Sequence, residues 1–246
     1  ADASNTDTDG DGLGDVCEIP QQDLLAFYGF DNSTNDTSDF GRTATAHNSP
    51  AYALDRHAQG SGAIYLNNDG LVNSNSSVKY VSAPSVQLGG SFTLGGWVNA
   101  DSFNNWRMMA EFGDGESDDN LYLGFKGTGQ QLKMKGRSGS SVMYEAHSSV
   151  SLEDDSWYHA LAVVDADANV AKLYINGVNV ATALSYVSDV PTMARSDHWY
   201  GRSHWDDEKS LDGMLDDMVT YNRALSAAEV NALYLHGQNL QIRDVV

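Results

Sequence analysis

Between residues 157 and 183 the chain reads WYHALAVVDADANVAKLYINGVNVATA, two apolar runs separated by polar turns. Trp157, His159, Leu161 and Val163 alternate with Tyr158, Ala160, Ala162 and Val164, so both faces of the first run carry apolar groups. A strand covered on both sides belongs inside a sheet, and a central position is expected for this one. Residues 165–169 are polar and break the run. Leu173 and Ile175 mark a second strand, and Asn176 with Gly177 supply the left-handed conformations of a two-residue hairpin turn. Residues 178–183 return, which predicts a three-stranded antiparallel meander.

The same pattern recurs along the chain. Strands are predicted at 23–30, 62–66 and 78–81, around Phe92, Leu94 and Trp97, and at 211–222, with a polar loop at 101–107. Ser226 and Glu229 form a capping box, and Leu225 and Val230 take the two positions of a hydrophobic staple, so a short helix is expected to open there. With 23 glycines, four prolines and turn signals at short intervals, the 246 residues suit an all-β fold, a two-sheet antiparallel sandwich or jelly roll. The expected organisation is an appendage at 1–20 followed by one domain at 21–246.

Charge narrows the partners. The formal net charge of −20 argues against nucleic acid, which needs a basic footprint, and favours cations. It also suits life at high ionic strength, where screening shortens repulsion. No apolar run reaches membrane-spanning length, so no membrane insertion is expected. The start lacks a signal-peptide pattern, which suggests a processed end or an arbitrary boundary. Cys17 is the single cysteine and has no internal disulfide partner.

Within the first eighteen residues, Asp7, Asp9, Asp11, Asp15 and Glu18 offer side-chain oxygens, Gly12 permits a sharp turn and Leu13 offers its carbonyl. Alternate carboxylates around a glycine are the pattern of a calcium (Ca2+) loop. The stretch resembles a thrombospondin type 3 repeat, whose loops end in a cysteine at the place of Cys17. Only one repeat is present, and a disordered acidic linker is the competing reading.

Basic residues are scarce, which makes their placement informative. The alternation puts Leu121, Leu123 and Phe125 on one face with Leu132 and Met134, across a loop at 127–130. Tyr122, Lys126, Lys133, Lys135 and Arg137 then share the opposite face. A positive stripe with an aromatic in an acidic protein is a candidate site for a sulfated or uronic polysaccharide. The competing reading is a solvated strand face, with Glu145 opposite Lys133 if the next hairpin has a three-residue loop. A second candidate lies on a loop. Sugars present a flat C–H face ringed by hydroxyls, so their sites combine exposed aromatic rings with planar donors and acceptors. Trp205, flanked by Arg202, His204 and Asp206, fits that description, and Trp106 with Arg107 offers a second platform. Of Trp199 and Tyr200, one is expected in the core.

Catalytic signatures are mostly missing: no nucleophile elbow, zinc-protease helix, Cys-x-x-Cys or phosphate-binding loop occurs. Glu111, Asp114 and Glu116 come nearest to a hydrolase carboxylate set, but their spacing does not put all three on one strand face. Tyr144 and His147 echo a lyase base pair weakly, since alternation sends them to opposite faces.

The motifs FYGFD at 27–31, SFTLGGWV at 91–98, WYHALAVVD at 157–165, KLYINGV at 172–178 and LDDMVTYNRALSAAEVNALY at 215–234, in this order, resemble the laminin G-like, concanavalin A-like jelly-roll family. The resemblance spans residues 24–234. It implies a two-sheet sandwich of about a dozen strands, commonly an ancillary module of secreted bacterial glycan-degrading or adhesive proteins. It further implies a structural calcium held by Asp31 and by Asp216 and Asp217, although neighbours on a regular strand point to opposite faces. The leading expectation is a non-catalytic carbohydrate-binding module of a secreted or cell-surface protein, binding an anionic polysaccharide beside a catalytic domain in the same parent chain. The alternatives are a calcium-stiffened adhesion or spacer module for a surface glycan or protein, and a divergent lyase or hydrolase.

Overall fold

The computed structural model describes residues 19–58, 60, 62–184 and 190–239. In chain order the strands are β1 (Leu24–Tyr28), β2 (Thr45–His47), β3 (Ala51–Ala53), β4 (Ala63–Tyr65), β5 (Tyr80–Ala83), β6 (Gln87–Leu88), β7 (Phe92–Ala100), β8 (Met108–Gly113) and β9 (Leu121–Phe125). They continue with β10 (Gln131–Ser138), β11 (Ser141–Ser151), β12 (Tyr158–Asp165), β13 (Val170–Ile175), β14 (Val178–Ala183), β15 (Met193–Ala194), β16 (Asp197–Tyr200) and β17 (Gly213–Tyr221), and end in the helix α1 (Ala227–Asn239).

Two large antiparallel sheets face each other as a jelly-roll sandwich. One runs β14-β13-β12-β7-β17-β4-β3, with β1 also on β17, and the other runs β11-β10-β9-β8-β16-β5-β2. The meander at 157–183 is present as β12 to β14, and β12 lies between β13 and β7 as its two apolar faces require. Ala160, Ala162 and Val164 face the core between the sheets, with Phe112, Phe125, Leu132 and Tyr200 from the other sheet in the same cluster. Leu161 and Val163 point the other way, into a second cluster with Val219, Tyr221, Val230 and Leu233 under α1. Burying a side chain such as Phe125 stabilises the fold by roughly 1.5–3 kcal/mol.

The capping box closes as the spacing predicts. The Glu229 N–H donates to Ser226 Oγ at 3.3 Å, and the Ser226 N–H to Glu229 Oε2 at 2.8 Å. Burial of both Leu225 and Val230 in one cluster completes the staple. The helix therefore roofs the outer face of the eight-stranded sheet. No helix covers the outer face of the seven-stranded sheet among the described residues; loops 101–107 and 201–209 reach over it instead. No described helix is long and apolar enough to cross a membrane.

Candidate ligand-binding groove

The groove starts from the register of β9 and β10. Lys135 pairs with Tyr122 and Met134 with Leu123, so Leu123 and Met134 enter the core while Tyr122, Lys133 and Lys135 stand on the outer face. Hairpin β10–β11 turns through two residues, Gly139 and Ser140, and carries a bulge after Gly136. Glu145 consequently lies opposite Lys135, two positions from the place a three-residue loop would give it, and His147 lies opposite Lys133. Parity is preserved, so Glu145 still reaches both lysines, at 2.6 Å from Lys135 Nζ and 3.4 Å from Lys133 Nζ.

Both tryptophan loops arrive over this stripe. Asn105 and Trp106 adopt left-handed conformations, with φ of 64° and 57°. A tryptophan there is strained by about 1–3 kcal/mol and must be held by its surroundings. The Asn105 N–H donates to the Gly127 carbonyl at 3.2 Å, and the indole packs where a Cβ on Gly127 would lie 2.2 Å from its Nε1. On the other loop, Asn73 Nδ2 holds the Trp205 carbonyl at 3.0 Å, and the Trp205 N–H donates to Ser203 Oγ. The Trp205 ring meets Tyr122 edge-on at 5.9 Å, and Lys133 Nζ lies 4.5 Å from the centre of the Trp106 ring.

Between the two indoles a cavity of about 200 Å³ opens over Tyr122, Lys133, Lys135 and Arg137, with Met108 and Glu208 completing the wall. A second compartment of about 430 Å³ adjoins it, sharing Trp106, Trp205 and Glu208 and adding Asn105, Asp207 and Lys209. Burial brings the Lys133 ammonium down to about 8, reinforced by Lys135 and opposed by Glu145. The same effect pushes Glu208 up to about 7, with Glu111 and Asp207 adding to it and Ser203 and Lys133 opposing. Burial would also raise Glu145, but its bonds to the two lysines hold it below the usual carboxylate range. Arg137 donates from Nη1 to the Ser140 carbonyl at 2.6 Å, while its buried Nε has no hydrogen-bond partner.

Six expected residues therefore share one groove: Trp106, Tyr122, Lys133, Lys135, Arg137 and Trp205. Four others do not line it. Arg107 is buried and donates to the Ser102 carbonyl at 2.8 Å. Arg202 lies over the rings of Tyr80 and Trp199, at 4.7 and 4.5 Å. His204 stacks on Trp199 at 4.2 Å and meets Glu111 Oε1 at 3.1 Å and Asp197 Oδ2 at 3.4 Å. Burial alone would lower its pKa, but those two carboxylates hold it above the usual histidine value. Asp206 is exposed, and its carbonyl accepts from Ser74. Residues 201–209 form no regular strand, so neighbours along the chain do not have to share the direction of the Trp205 ring. Glu208 was missed; its only sequence signal is an acidic run on the same loop. Tyr200 fills the core and Trp199 stands on the outer face, so one of that pair is inside as expected.

The calcium residues expected at Asp7, Asp9, Asp11, Leu13, Asp15 and Glu18 lie outside the described residues. Asp216 and Asp217 are both bonded to Arg56, the latter at 2.6 Å, and Arg56 also donates to the Gly237 carbonyl at 2.7 Å. A bulge follows Asp216, and Asp217 has φ 45°, so the adjacent acids turn toward one guanidinium despite the opposite-face rule for regular strands. Burial, then Asp217 and Asp55, raises Asp31 above the usual carboxylate range. Hard oxygen donors abound there, yet among the described residues no group of three or more acids, histidines or cysteines is arranged to hold a metal ion. As folded, this is an arginine clamp.

Of the carboxylates weighed for hydrolysis, Glu116 accepts from the Asp206 N–H at 3.4 Å. Glu111 is fully buried under the groove, accepting from Asn120 Nδ2 at 2.8 Å and from His204. Asp114 is turned to the Ser196 N–H at 2.5 Å. Tyr144 is in the core and His147 outside, on opposite faces as alternation requires.

Fold and groove together define a lectin-like jelly-roll module. The chain belongs to the concanavalin A-like lectin/glucanase superfamily, whose laminin G family model matches residues 73–231. Among solved structures it is similar to domain 4 of AbnA, a GH43 extracellular arabinanase from Geobacillus stearothermophilus, in complex with arabinotriose, at 20% identity and a TM-score of 0.68, over 86% of this chain and 98% of that one. The binding domain of Paraclostridial Mosquitocidal Protein 1 matches at 16% identity and a TM-score of 0.66, over 87% of this chain and 52% of that one. A botulinum neurotoxin type C structure, described as dependent on two ganglioside molecules for cell entry, matches at 11% identity and 0.66, over 89% and 52%. This chain thus spans about half the length of the toxin chains. Likeness at such identities shows the fold alone. No curated protein sequence matches.

Proposed function

We propose that this chain is a non-catalytic carbohydrate-binding module that holds an anionic polysaccharide, sulfated or uronic, in the groove over the seven-stranded sheet. One observation carries the reading: in a chain with 14 basic and 34 acidic residues, Lys133, Lys135 and Arg137 converge between two indoles around open space. The rings offer stacking surfaces for the C–H face of a sugar, and the cations offer donors to its carboxylate or sulfate. Local charge governs contact because the Debye length of about 8 Å screens the distant acids. The arabinotriose complex of the AbnA domain supports a sugar ligand for a module of this shape.

Residues 1–20 are proposed as a thrombospondin type 3-like calcium linker, and the parent protein as a secreted or cell-surface polysaccharide-degrading one with its own catalytic domain. A calcium ion at Asp31, Asp216 and Asp217 is proposed as well, and it requires Arg56 to give up at least one carboxylate. Calcium raising the melting temperature of the wild type but not of Asp31→Asn supports that site; equal responses refute it. A surface-adhesion role is the second reading, supported by the toxin binding domains that share the fold.

Affinity electrophoresis against neutral, uronic and sulfated polysaccharides tests the main proposal. Retardation by the anionic polymers, abolished in Trp106→Ala, Trp205→Ala, is the expected result. Release of reducing ends or unsaturated products would instead mark an enzyme.

A further inference from the structure

We infer that the groove selects among anionic glycans by charge spacing, accepting chains in which an anionic sugar is followed by an uncharged one and disfavouring chains charged on every unit. This rests on the anionic-glycan reading above and names the substrate class of that site. Trp106, Trp205 and Glu208 border both compartments, so a ligand stacked between the indoles faces both at once.

The two compartments have opposite character. Over the sheet, Lys133, Lys135 and Arg137 line the smaller one against a single carboxylate, Glu208, with Glu145 paired to the two lysines, so cations outnumber acids there. Asp207 and Glu208 border the larger one, beside Asn105. Its one lysine, Lys209, donates from Nζ to the Gly70 carbonyl, and the two carboxylates outnumber it. About 150 Å³ holds a benzene-sized ring. The smaller compartment, at about 200 Å³, therefore suits one sugar ring, and the larger, at about 430 Å³, leaves room for its neighbour.

A carboxylate or sulfate on the first ring meets cations. A second negative group on the next ring meets Asp207 and Glu208 well inside the screening length of about 8 Å. Like charges brought together in a partly desolvated site oppose binding, which is how an interface rejects a near-relative of its ligand. Carboxylates accept hydrogen bonds from hydroxyl and amide N–H groups, and Asn105 can donate or accept, so an uncharged or N-acetylated sugar is matched there. Glu208 couples the halves, feeling Asp207 on one side and Lys133 on the other.

Calorimetric titration of the intact chain with three oligosaccharides of equal length tests this. One alternates uronate with N-acetylhexosamine, as in hyaluronan; one carries a uronate on every unit, as in polygalacturonate; one is neutral, as in cellulose. The alternating chain is expected to bind about tenfold tighter than the fully charged one, a difference of about 1.4 kcal/mol. Asp207→Asn with Glu208→Gln is expected to bring the two within about threefold, and Asp207→Asn alone, at an exposed side chain, to move the ratio the same way. Equal or tighter binding of the fully charged chain overturns the spacing inference and leaves the anionic reading standing. Binding of the neutral chain as tight as both, or binding of none, overturns the anionic reading itself.

Discussion

On one sheet Glu145 joins Lys133 and Lys135; on the other Arg56 joins Asp216 and Asp217. Each cluster sets a single charge against two of opposite sign from the same strand. The surroundings differ. The Arg56 side chain is 4% exposed, its guanidinium lies 4.6 Å from the Trp97 ring centre, and it fastens the end of α1 to β17. Glu145 is 31% exposed, and its lysines border open space under two indoles. Free volume and exposure, rather than the pairing, separate a clamp from a site.

The largest expected effect is at the clamp. Arg56→Met leaves Asp216 and Asp217 without their shared cation, and removal of one partner from a buried pair costs about 3–5 kcal/mol. Chemical denaturation at neutral pH measures it. Burial, then Asp217, already raises the folded-state pKa of Asp216. A raised carboxyl contributes stability below its unfolded pKa and loses it as pH climbs toward the folded value; Arg56 opposes that rise, so without it the loss extends to higher pH, and the variant's deficit grows with pH and shrinks toward pH 4. A deficit independent of pH would count against the clamp.

Effects at the groove fall on binding. Trp106→Ala and Trp205→Ala are each expected to cost about 2 kcal/mol of glycan affinity, roughly thirtyfold. Trp106 is 38% exposed, so the melting temperature of that variant should change little. Next comes Gly127→Ala, whose new methyl displaces the Trp106 indole; about tenfold weaker binding with an intact fold is expected. Loss of folding instead would assign Gly127 a purely structural role. The smallest effect is on pH dependence. Between pH 6 and 9 Glu208 gains negative charge near 7 and Lys133 loses its positive charge near 8, so affinity for an anionic glycan should fall a few-fold as pH rises. Glu208→Gln should flatten the lower half of that profile.

Sequence periodicity made the scaffold legible where the information is local. The meander at 157–183 and the helix start at Ser226 follow from alternation and short-range chemistry, and both are present. In the groove, the strand register of Tyr122, Lys133 and Lys135 was legible for the same reason, and Trp106 and Trp205 by their setting in polar loops. That the two loops meet over that strand face was not, because long-range contacts set it. Glu145 fell two positions away because turn length and the bulge were invisible in the pattern. His204 and Arg202 stand apart from the groove because nearness in sequence to an aromatic on a loop does not fix a shared direction. Arg56, 160 residues from Asp216, left no local trace.

Cations and indoles of one groove, on the proposed function, hold an anionic glycan together. A calorimetric titration of a uronate–N-acetylhexosamine oligosaccharide at rising salt, on wild type and on Lys133→Gln, Lys135→Gln, tests it most directly. Wild-type affinity should fall steadily with salt, and the variant should bind weakly with a much shallower salt dependence. Equal affinities and equal salt slopes in the two proteins would contradict the account.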